Sequence, residues 1–442
     1  TIEQQDAMFL GVLAFVARCS VFATAAAAIC LLLLWTITER REYFTSSCHN
    51  PRSPELWLLP GLSFSCGWQR VRPDSGSFVP YAFIQPNGSW CWSNAGFIAS
   101  PDGSGLLVDT LMDPVLTDTM LRELGPATGG SAPGRVDAVV FTHPDVDHIL
   151  GNQAVAPEIP RLGTAKAQQD IDAQAGAAWK LKLCVEAGRF IWQVLKLFGG
   201  PSLLPLLPTA LQPRALSLLG FAKSQDNLAG FNLKPVDGGR LPKFESLLAS
   251  GDNITVHGQP LPVRFWEVGA IHSKSDSMIL LPESKVAFTG DLLFIGIAPV
   301  MWSGPASTWV KALDDLLEAT GGDWRFVPGH GPVTDAEGVR SVRRYFAYLH
   351  EAVSKACSDL PLAISDADEA CAKRVLEQMP QDLKDDFHEP ERIMICAVIE
   401  RMARRAGGSA KVNVMTKLKW IGKMSEHRMQ LPPPGKTTGD EL

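Results

Sequence analysis

The sequence carries little net charge and few charged residues. Charged side chains make up 20% of its 442 residues, the formal net charge is -6 and the pI is about 5.9. Without a basic excess there is no electrostatic footprint for binding nucleic acid, so we expect no nucleic-acid partner. A hydrophobic fraction of 46% in so long a chain predicts a large core and more than one folding unit.

Other absences narrow the choice further. The nine cysteines show no CxxC motif and no paired spacing, so we expect them to be buried thiols. No glycine-rich nucleotide loop and no flavodoxin-like segment is visible, which disfavours a flavin- or nucleotide-dependent enzyme. The sequence also shows no internal repeat, which excludes the common repeat architectures.

One long apolar run lies near the start of the chain. Residues Ala7–Ile37 carry a single charge, Arg18, and exceed the about 20 apolar residues that a bilayer-crossing helix needs. The run ends in Leu34-Trp35 and then TERRE, without a small-residue cleavage site, so we predict an uncleaved transmembrane anchor over residues 1–45. A buried hairpin or a cleaved signal peptide would be the alternatives.

Short motifs suggest where the rest of the chain lies. Asn87-Gly88-Ser89 and Asn253-Ile254-Thr255 fit the N-glycosylation pattern, and the chain ends in TTGDEL, which resembles an endoplasmic-reticulum retrieval signal. Together with the anchor, they predict a single-pass membrane protein of the endoplasmic reticulum with a lumenal catalytic domain.

Composition shifts divide the remainder of the chain. Residues 46–80 are rich in Pro, Ser and Gly and are predicted to be a linker. Alternating strand-like and helix-like segments predict an α/β body over residues 81–335, interrupted by a helical insertion at 165–230. A helical extension is expected at 336–405 and a polar tail at 406–442.

The stretch FTHPDVDHILGN places metal-seeking side chains where a buried strand ends. His143, Asp145 and Asp147 alternate along the chain, so an extended backbone would turn them to one side, and His148 follows at once. Imidazole and carboxylate groups at the end of a strand suit a divalent transition metal. The simpler alternative is a capped helix start with solvated aspartates.

Three later segments repeat the arrangement. His272 follows the strand-like WEVGA, Asp291 follows a strand in TGD, and His330 lies in GHG. In the last two cases neighbouring glycines allow the backbone to approach closely. The same strand-end pattern in four places favours a metal site over a helix cap.

The order of these segments resembles the metallo-β-lactamase superfamily, over about residues 90–333. The resemblance implies an αβ/βα sandwich with a one- or two-metal centre at one edge. It assigns His143, Asp145 and His272 to one metal, and Asp147, His148 and His330 to the second, with Asp291 as the bridge. It also implies that NAGFI and LLVDT form the opening hairpin and that Asp109 supports the ligand loop.

Asp145 departs from the family pattern, which has histidine at this position. A third carboxylate lowers the net charge of the centre, weakens it as a Lewis acid and shifts preference from zinc towards iron or manganese. The flavodiiron branch, which binds iron, has glutamate here. We expect one or two divalent ions, with zinc first and iron or manganese as alternatives. A further possibility is that only one half-site is filled, the one formed by Asp147, His148, His330 and Asp291.

The resemblance implies a hydrolase in which metal-activated hydroxide attacks an ester, thioester, lactone or related bond. Asp147 or Asp276 is the expected proton carrier, although Asp276 could equally be a hydrogen-bonded turn residue. An iron-centred oxidoreductase or dioxygenase on the same fold is the alternative, and a non-enzymatic binding module is a third. β-Lactam hydrolysis itself is not implied, because the fold serves many chemistries.

The apolar helical insertion bears on the partner. Its tryptophans Trp179 and Trp192 and its many leucines predict either packing against the sandwich or a lid over the site. A lid near a membrane would suit a small-molecule or lipid-like acyl substrate. The remaining histidines, His49, His257, His350, His388 and His427, are expected to have ordinary structural roles.

Overall fold

Apolar strands build two β-sheets that pack face to face. The computed structural model describes residues 66–430 except 74–75, 86–89, 130–133, 176–177, 198, 210, 229–230, 233–240, 257–258 and 363–365. The first sheet has seven strands in chain order: β1 (Gly67–Arg70), β2 (Val79–Ile84), β3 (Ala95–Ala99), β4 (Ser104–Val108), β5 (Arg135–Val140), β6 (Arg161–Gly163) and β7 (Ser246–Leu247). Strands β1 to β4 pair antiparallel, and β4 to β7 pair parallel.

The second sheet has five strands. These are β8 (Asn253–Val256), β9 (Gln259–Gly269), β10 (Asp276–Leu281), β11 (Val286–Phe294) and β12 (Arg325–His330), in the spatial order β12-β11-β10-β9-β8. Within the described residues, the β11–β12 pair is the only parallel pair of this sheet. Parallel pairing brings the carboxyl ends of β11 and β12 to the same edge, which is where α/β proteins place their ligands.

Strand β5 shows why the sheets form a layered body. Ala138 and Val140 pack in the core between the two sheets, whereas Val139 and Phe141 pack in the core beneath the outer helices. Side chains alternate between the faces of a strand, so a run that is apolar throughout needs cover on both sides. The structure provides this cover as the αβ/βα sandwich predicted from the sequence.

Helices cover the outer faces of both sheets. They are α1 (Pro114–Ala127), α2 (Val146–Ile149), α3 (Ala165–Ala175), α4 (Ala178–Leu197), α5 (Gln212–Leu228), α6 (Ala306–Thr320), α7 (Ala336–Ala356), α8 (Asp366–Glu377), α9 (Gln381–Asp386), α10 (Ile393–Ala406) and α11 (Val414–Gln430). Asp113 caps α1 by accepting hydrogen bonds from the amides of Val115 and Leu116. The helical insertion thus consists of α3 to α5, and α7 to α10 cover the second sheet.

Two segments differ from the sequence prediction. Gly67–Arg70, in the predicted linker, is the edge strand of the first sheet. Val414–Gln430, in the predicted polar tail, is helix α11 and packs along α5 of the insertion. The two helices touch closely, since a Cβ added to Gly220 would lie 2.6 Å from the carbonyl oxygen of Gly422. Short polar-looking segments such as these become ordered through tertiary contacts that local sequence does not record.

The predicted membrane span requires correction. Among the helices that the structure describes, none is both long enough and apolar enough to cross a bilayer. Helix α4, at 20 residues the length of a span, carries five charged side chains, which are costly in hydrocarbon. The run Ala7–Ile37 lies outside the described residues. This finding contradicts the predicted N-terminal transmembrane helix and, with it, the predicted single-pass, lumenal localisation.

The prediction of buried thiols is wrong for Cys357 and Cys371. Cys357 and Cys371 form a disulfide bond that links the end of α7 to α8. Their separation of 14 residues resembles no motif, so only the packing of the two helices brings the thiols together. Cys91, Cys184 and Cys396 are free, as expected for thiols in partly or fully apolar surroundings.

Removing this disulfide should lower stability without changing the fold. In the chain-entropy description, a cross-link that closes a loop of this size stabilises the folded state by about 3 kcal/mol. We expect the double substitution Cys357→Ser and Cys371→Ser to lower the free energy of unfolding by about this amount, measured by urea denaturation. Cys184→Ser, a free cysteine, is the control; an equal loss in both proteins would show that the cross-link contributes nothing.

Candidate metal centre

Four histidines and three aspartates converge at one edge of the sandwich. His143 follows β5, Asp147 and His148 lie in the single turn α2, and His272 follows β9. Asp291 lies within β11 and His330 ends β12. All seven predicted ligands, Asp145 included, are buried, so the structure brings together side chains that are up to 187 positions apart in sequence (143 to 330).

Asp291 occupies the middle of the cluster. Its Oδ1 lies 3.1 Å from Nε2 of His148 and 3.4 Å from Nε2 of His330. Its Oδ2 lies 3.2 Å from Nε2 of His272 and 3.7 Å from Nε2 of His143. One carboxylate therefore faces four imidazole nitrogens, two on each oxygen, which is the geometry of a bridging ligand.

Hydrogen bonds on the far side of three imidazoles hold their orientation. Nδ1 of His272 lies 2.7 Å from the carbonyl oxygen of Val300, and Nδ1 of His330 lies 3.0 Å from that of Trp92. A carbonyl oxygen can only accept, so in both rings Nδ1 carries a proton, and Nε2 is the nitrogen that faces the cluster. Both rings are therefore prepared to bind a cation through Nε2.

Asp109 orients the third imidazole and the first ligand loop. Its Oδ2 lies 2.9 Å from Nδ1 of His148, and its two oxygens accept hydrogen bonds from the amide and hydroxyl of Thr142 at 2.7 and 2.6 Å. Asp109 adopts a left-handed backbone conformation, with φ 57°, directly after β4. This strained position suits a supporting residue at a functional site, as the resemblance implied.

Two glycines make room for the central carboxylate. Gly290 has φ 50°, and a Cβ there would lie 2.5 Å from the hydroxyl oxygen of Thr142. A Cβ at Gly329 would overlap Oδ1 of Asp291. The glycines of TGD and GHG therefore serve close backbone packing at the centre.

The donor set fits divalent metal ions. Nε2 of His143, Nε2 of His148 and Oδ1 of Asp291 are buried and have no hydrogen-bond partner among the described residues. Ligand atoms of His143, His272 and Asp291 lie within 4.8 Å of one another, as do those of Asp147, His148 and His330. Each group has two histidines and one carboxylate, a set used by zinc and by non-haem iron. A buried polar cluster of this kind is expected to be completed by a cation.

Asp145 is paired with a lysine instead of pointing only at the cluster. Nζ of Lys417, on α11, lies 2.9 Å from Oδ1 and 3.0 Å from Oδ2 of Asp145. Oδ2 of Asp145 also lies 3.2 Å from Nε2 of His272. Lys417 extends over the ring of Trp302, at 5.0 Å from its centroid. The negative charge that Asp145 adds in place of a histidine is thus balanced by the positive charge of Lys417.

Asp276 serves the loop that carries His272. Its carboxylate accepts hydrogen bonds from the amide of Ile271 at 3.0 Å, from the amide of Ser273 at 2.9 Å and from the hydroxyl of Ser273 at 2.7 Å. Burial raises the pKa of Asp276, and nearby His272 opposes this shift. These contacts match the turn alternative for Asp276 and fix the backbone on both sides of His272.

The charges of the cluster shift its pKa values in opposite directions. Burial lowers the pKa of His272, but the carboxylates of Asp291 and Asp145 outweigh burial and raise it to about 9. Burial likewise lowers the pKa of His148, and Asp291 with Asp109 more than reverses this. Burial raises the pKa of Asp291, and the four histidines hold it well below its usual value. The four imidazoles thus favour the ionised form of the Asp291 carboxylate.

A cavity of about 440 Å³ opens onto the cluster. Asp145, Asp147, His272, Asp291 and His330 form its polar floor. Its walls come from the insertion, from α11 and from the loop before it, and they include Leu181, Leu228, Val412, Met415, Leu418 and Ile421. A concave site with apolar walls and a few convergent polar groups is typical of small-molecule binding.

The sequence analysis missed two charged cavity residues that follow His330 in the chain. Lys417 and Arg392 line the cavity although they lie 272 and 101 positions after Asp145 and Asp291, in segments without a recognisable motif. Only the excess of positive charge in VMTKLKWIGK could have drawn attention to α11. Of the histidines for which a structural role was predicted, His350, His388 and His427 lie outside the cluster, and His49 and His257 lie outside the described residues.

Comparison with known proteins agrees with the motif analysis. The family model of the metallo-β-lactamase superfamily matches residues 88–160, the range that holds His143, Asp145, Asp147 and His148. The resemblance inferred from the motifs is thereby confirmed. A comparison with curated protein sequences gives no match.

Several solved structures are similar to the chain. DIM-1 metallo-β-lactamase has 11% identity and a TM-score of 0.40, with 64% of this chain and 97% of that chain covered. A double mutant of the sec-alkyl sulfatase PisA1 has 17% identity and a TM-score of 0.48, with 76% and 50% covered. FIM-1 metallo-β-lactamase from Pseudomonas aeruginosa, in its mono-zinc form, has 14% identity and a TM-score of 0.39, with 64% and 95% covered.

Removing the partner of Asp145 should strengthen metal binding. In Lys417→Met the Asp145 carboxylate loses its ion pair and becomes available to an ion held by His143, His272 and Asp291. We expect this ion to be retained at a chelator concentration about tenfold higher than in the wild type. The measurement is elemental analysis after dialysis against graded chelator.

Lys423→Met is the matched control, because Lys423 lies on the same helix and pairs with Glu426 at 3.0 Å. Unchanged retention in Lys417→Met would show that Lys417 does not compete with the metal for Asp145.

The raised pKa of His272 predicts a pH dependence in the metal-free protein. A histidine whose folded pKa exceeds its unfolded value of about 6.5 stabilises the fold fully below that pH. Its contribution is lost as the pH rises through about 9. We therefore expect the Tm of metal-free protein to fall across this window, and that of zinc-loaded protein to fall less, because the metal requires neutral imidazole. A constant Tm for metal-free protein would contradict the prediction.

Proposed function

Because its residues 88–160 match the metallo-β-lactamase superfamily, we propose that the chain is a metal-dependent hydrolase acting on an ester, thioester, lactone or related bond. The observation that supports this most strongly is the convergence of four Nε2 atoms on the two oxygens of Asp291. Outer hydrogen bonds hold three of these rings, so the arrangement is fixed before any ion arrives.

We expect zinc to be the first choice of metal. Asp291 would bridge two ions, one held by His143 and His272 and the other by Asp147, His148 and His330. Imidazole-rich sites of this kind suit zinc, and the carboxylates admit iron or manganese. The pairing of Asp145 with Lys417 leaves the first ion with fewer protein ligands than the second, so the second half-site is the one expected to fill first.

The side chains of the centre divide the remaining work. A divalent ion there would polarise the scissile group and lower the pKa of bound water. Asp147 lies on the cavity floor with Oδ2 3.4 Å from Nε2 of His330. We infer that its carboxylate takes the proton of the attacking water and passes it to the leaving group. Asp276 holds the His272 loop and is not needed for this step.

The cavity supports a lipid-like or acyl substrate. Leu228, Leu418 and Ile421 are almost completely buried and line its walls. The insertion and α11 close over the floor, so water would be largely displaced from a bound apolar chain. The insertion can therefore pack against the sandwich and also cover the site, because the same helices serve both purposes.

A second candidate is an iron-centred oxidoreductase or dioxygenase. The His143, His272 and Asp291 group offers two histidines and one carboxylate, the triad typical of non-haem iron oxygenases. The Lys417–Asp145 pair favours this alternative, because an ion held by that group would then have fewer protein ligands. The hydrolase remains the first proposal because the bridging position of Asp291 suits a two-metal hydrolytic centre.

Activity on acyl substrates tests the proposal. Zinc-loaded protein should hydrolyse 4-nitrophenyl octanoate or octanoyl-coenzyme A, and Asp291→Asn should lower kcat/KM by about 10³-fold, since Lewis-acid stabilisation is worth several kcal/mol. His350→Gln is the control, because His350 lies away from the centre and pairs with Glu400.

Oxygen uptake separates the two candidates. If only iron-loaded protein reacts, with consumption of oxygen and no hydrolysis, the oxidoreductase replaces the hydrolase. If neither metal supports a reaction on esters or thioesters, the hydrolase proposal fails for this substrate range.

A further inference from the structure

An arginine from the C-terminal extension lines the cavity above the metal centre. Arg392 is 2% exposed and lies next to the start of α10. Its guanidinium carbon lies 4.5 Å from the ring centroid of Trp90, another residue of the cavity wall. Its Nε donates to Glu389 at 2.8 Å. Nη2 is buried and has no hydrogen-bond partner among the described residues.

A buried guanidinium nitrogen is rarely left without an acceptor. Glu389 accepts a hydrogen bond from Nε of Arg392. The ring of Trp90 stacks on one face of the guanidinium and accepts no hydrogen bond from its N–H groups. Nη2 therefore lacks an acceptor within the described residues, and an oxygen of the ligand is the acceptor that we expect. Arginine suits this role because its planar fork matches carboxylate and phosphate groups.

The other charges around the cavity favour an anionic oxygen over a neutral one. Asp145 is matched by Lys417, and Asp170 by Lys166 at 2.8 Å and Lys274 at 3.9 Å. Among the described residues, three cationic side chains and four carboxylates line the cavity, so a single divalent ion would make its net charge positive. A bound anion would then be attracted by the whole site as well as by Arg392.

The apolar wall sets the rest of the ligand. Val412, Leu418 and Ile421 come from the C-terminal segment, and Leu181 and Leu228 from the insertion. A volume of about 440 Å³ accommodates a ligand of moderate size, such as a medium-length acyl chain. The cavity thus combines a hydrocarbon surface with one buried donor group.

We propose that the substrate is an anionic amphiphile, with a carboxylate or phosphate bound by Arg392 and an aliphatic body held between α11 and the insertion. This rests on the proposed function, because it names the substrate class of the same cavity. Neutral esters are then weaker ligands than anionic amphiphiles with the same tail, and cationic amphiphiles are weaker still, since neither offers Arg392 a charged oxygen.

Three probes with the same tail test the proposal on the full, metal-loaded chain. Decanoate, 1-decanol and decylammonium are titrated by calorimetry below the concentrations at which they form micelles. We expect decanoate to bind at least about tenfold more tightly than 1-decanol, as for a charge-assisted hydrogen bond, and decylammonium to bind most weakly. Equal affinities for decanoate and 1-decanol would overturn the proposal.

Variants separate Arg392 from the metal as the group that binds the anion. Arg392→Met combined with Glu389→Gln removes the pair without leaving a buried charge, and should abolish the preference for decanoate with metal content unchanged. A preference that survives in this variant would assign the anion to the metal and overturn the proposal. Arg401→Met is the control, because Arg401 is an equally buried arginine paired with Asp368 at 2.7 Å outside the cavity.

Folding and hydrolysis are controlled separately. Circular dichroism shows whether the double variant folds. If it does not, Arg392→Lys replaces it, because lysine keeps the charge but lacks the planar fork. We expect this variant to show a reduced preference for decanoate, and an undiminished preference would overturn the proposal. Selective decanoate binding without hydrolysis of any ester would refute the proposed function and leave the ligand class standing. Hydrolysis of neutral esters without selective binding would refute only the ligand class.

Discussion

The geometry of the whole site depends on one buried carboxylate facing four imidazoles. Asp291 can occupy this position only because Gly290 and Gly329 leave the space for it, and because β11 and β12 are parallel neighbours that end at the same edge. The other ligands follow from loops that leave the sheets at that edge. A cluster of this kind is costly to bury unless a cation completes it. The sandwich therefore provides the rigid frame, and the ion is expected to provide the compensation.

The motifs predicted the fold and the side chains of the cluster because strand-end chemistry is local. A buried strand that stops before HPDVDH places ligands at the sheet edge whatever the distant sequence does. Asp109 could be anticipated only through the family resemblance, since a lone VDT after a strand has no chemistry of its own. The Cys357–Cys371 disulfide and helix α11 could not be predicted, because both depend on tertiary packing between segments with weak local signals.

The charge effect of Asp145, which departs from the family pattern, depends on its surroundings in the fold. From the sequence, an additional carboxylate weakens the centre as a Lewis acid and turns preference towards harder metals. In the structure, Lys417 neutralises the same carboxylate at 2.9 Å, so the expected loss of positive charge is largely offset. What the substitution would change is then the number of protein ligands available to one ion, more than the charge of the centre. No spacing rule could have paired positions 145 and 417.

Helix α11 connects the candidate metal centre with the cavity that opens onto it. One of its faces carries Lys417, which reaches Asp145, and the same helix supplies Leu418 and Ile421 to the cavity wall. It is held in place by α5 of the insertion, through the close contact of Gly220 with Gly422 and the hydrogen bond from Ser217 to Glu426 at 3.0 Å. A shift of α11 would thus alter the ion pair at the centre and the shape of the cavity together. The insertion and the C-terminal segment, which carry no recognisable motif, are therefore where this chain would acquire a specificity different from that of other proteins with the same metal ligands.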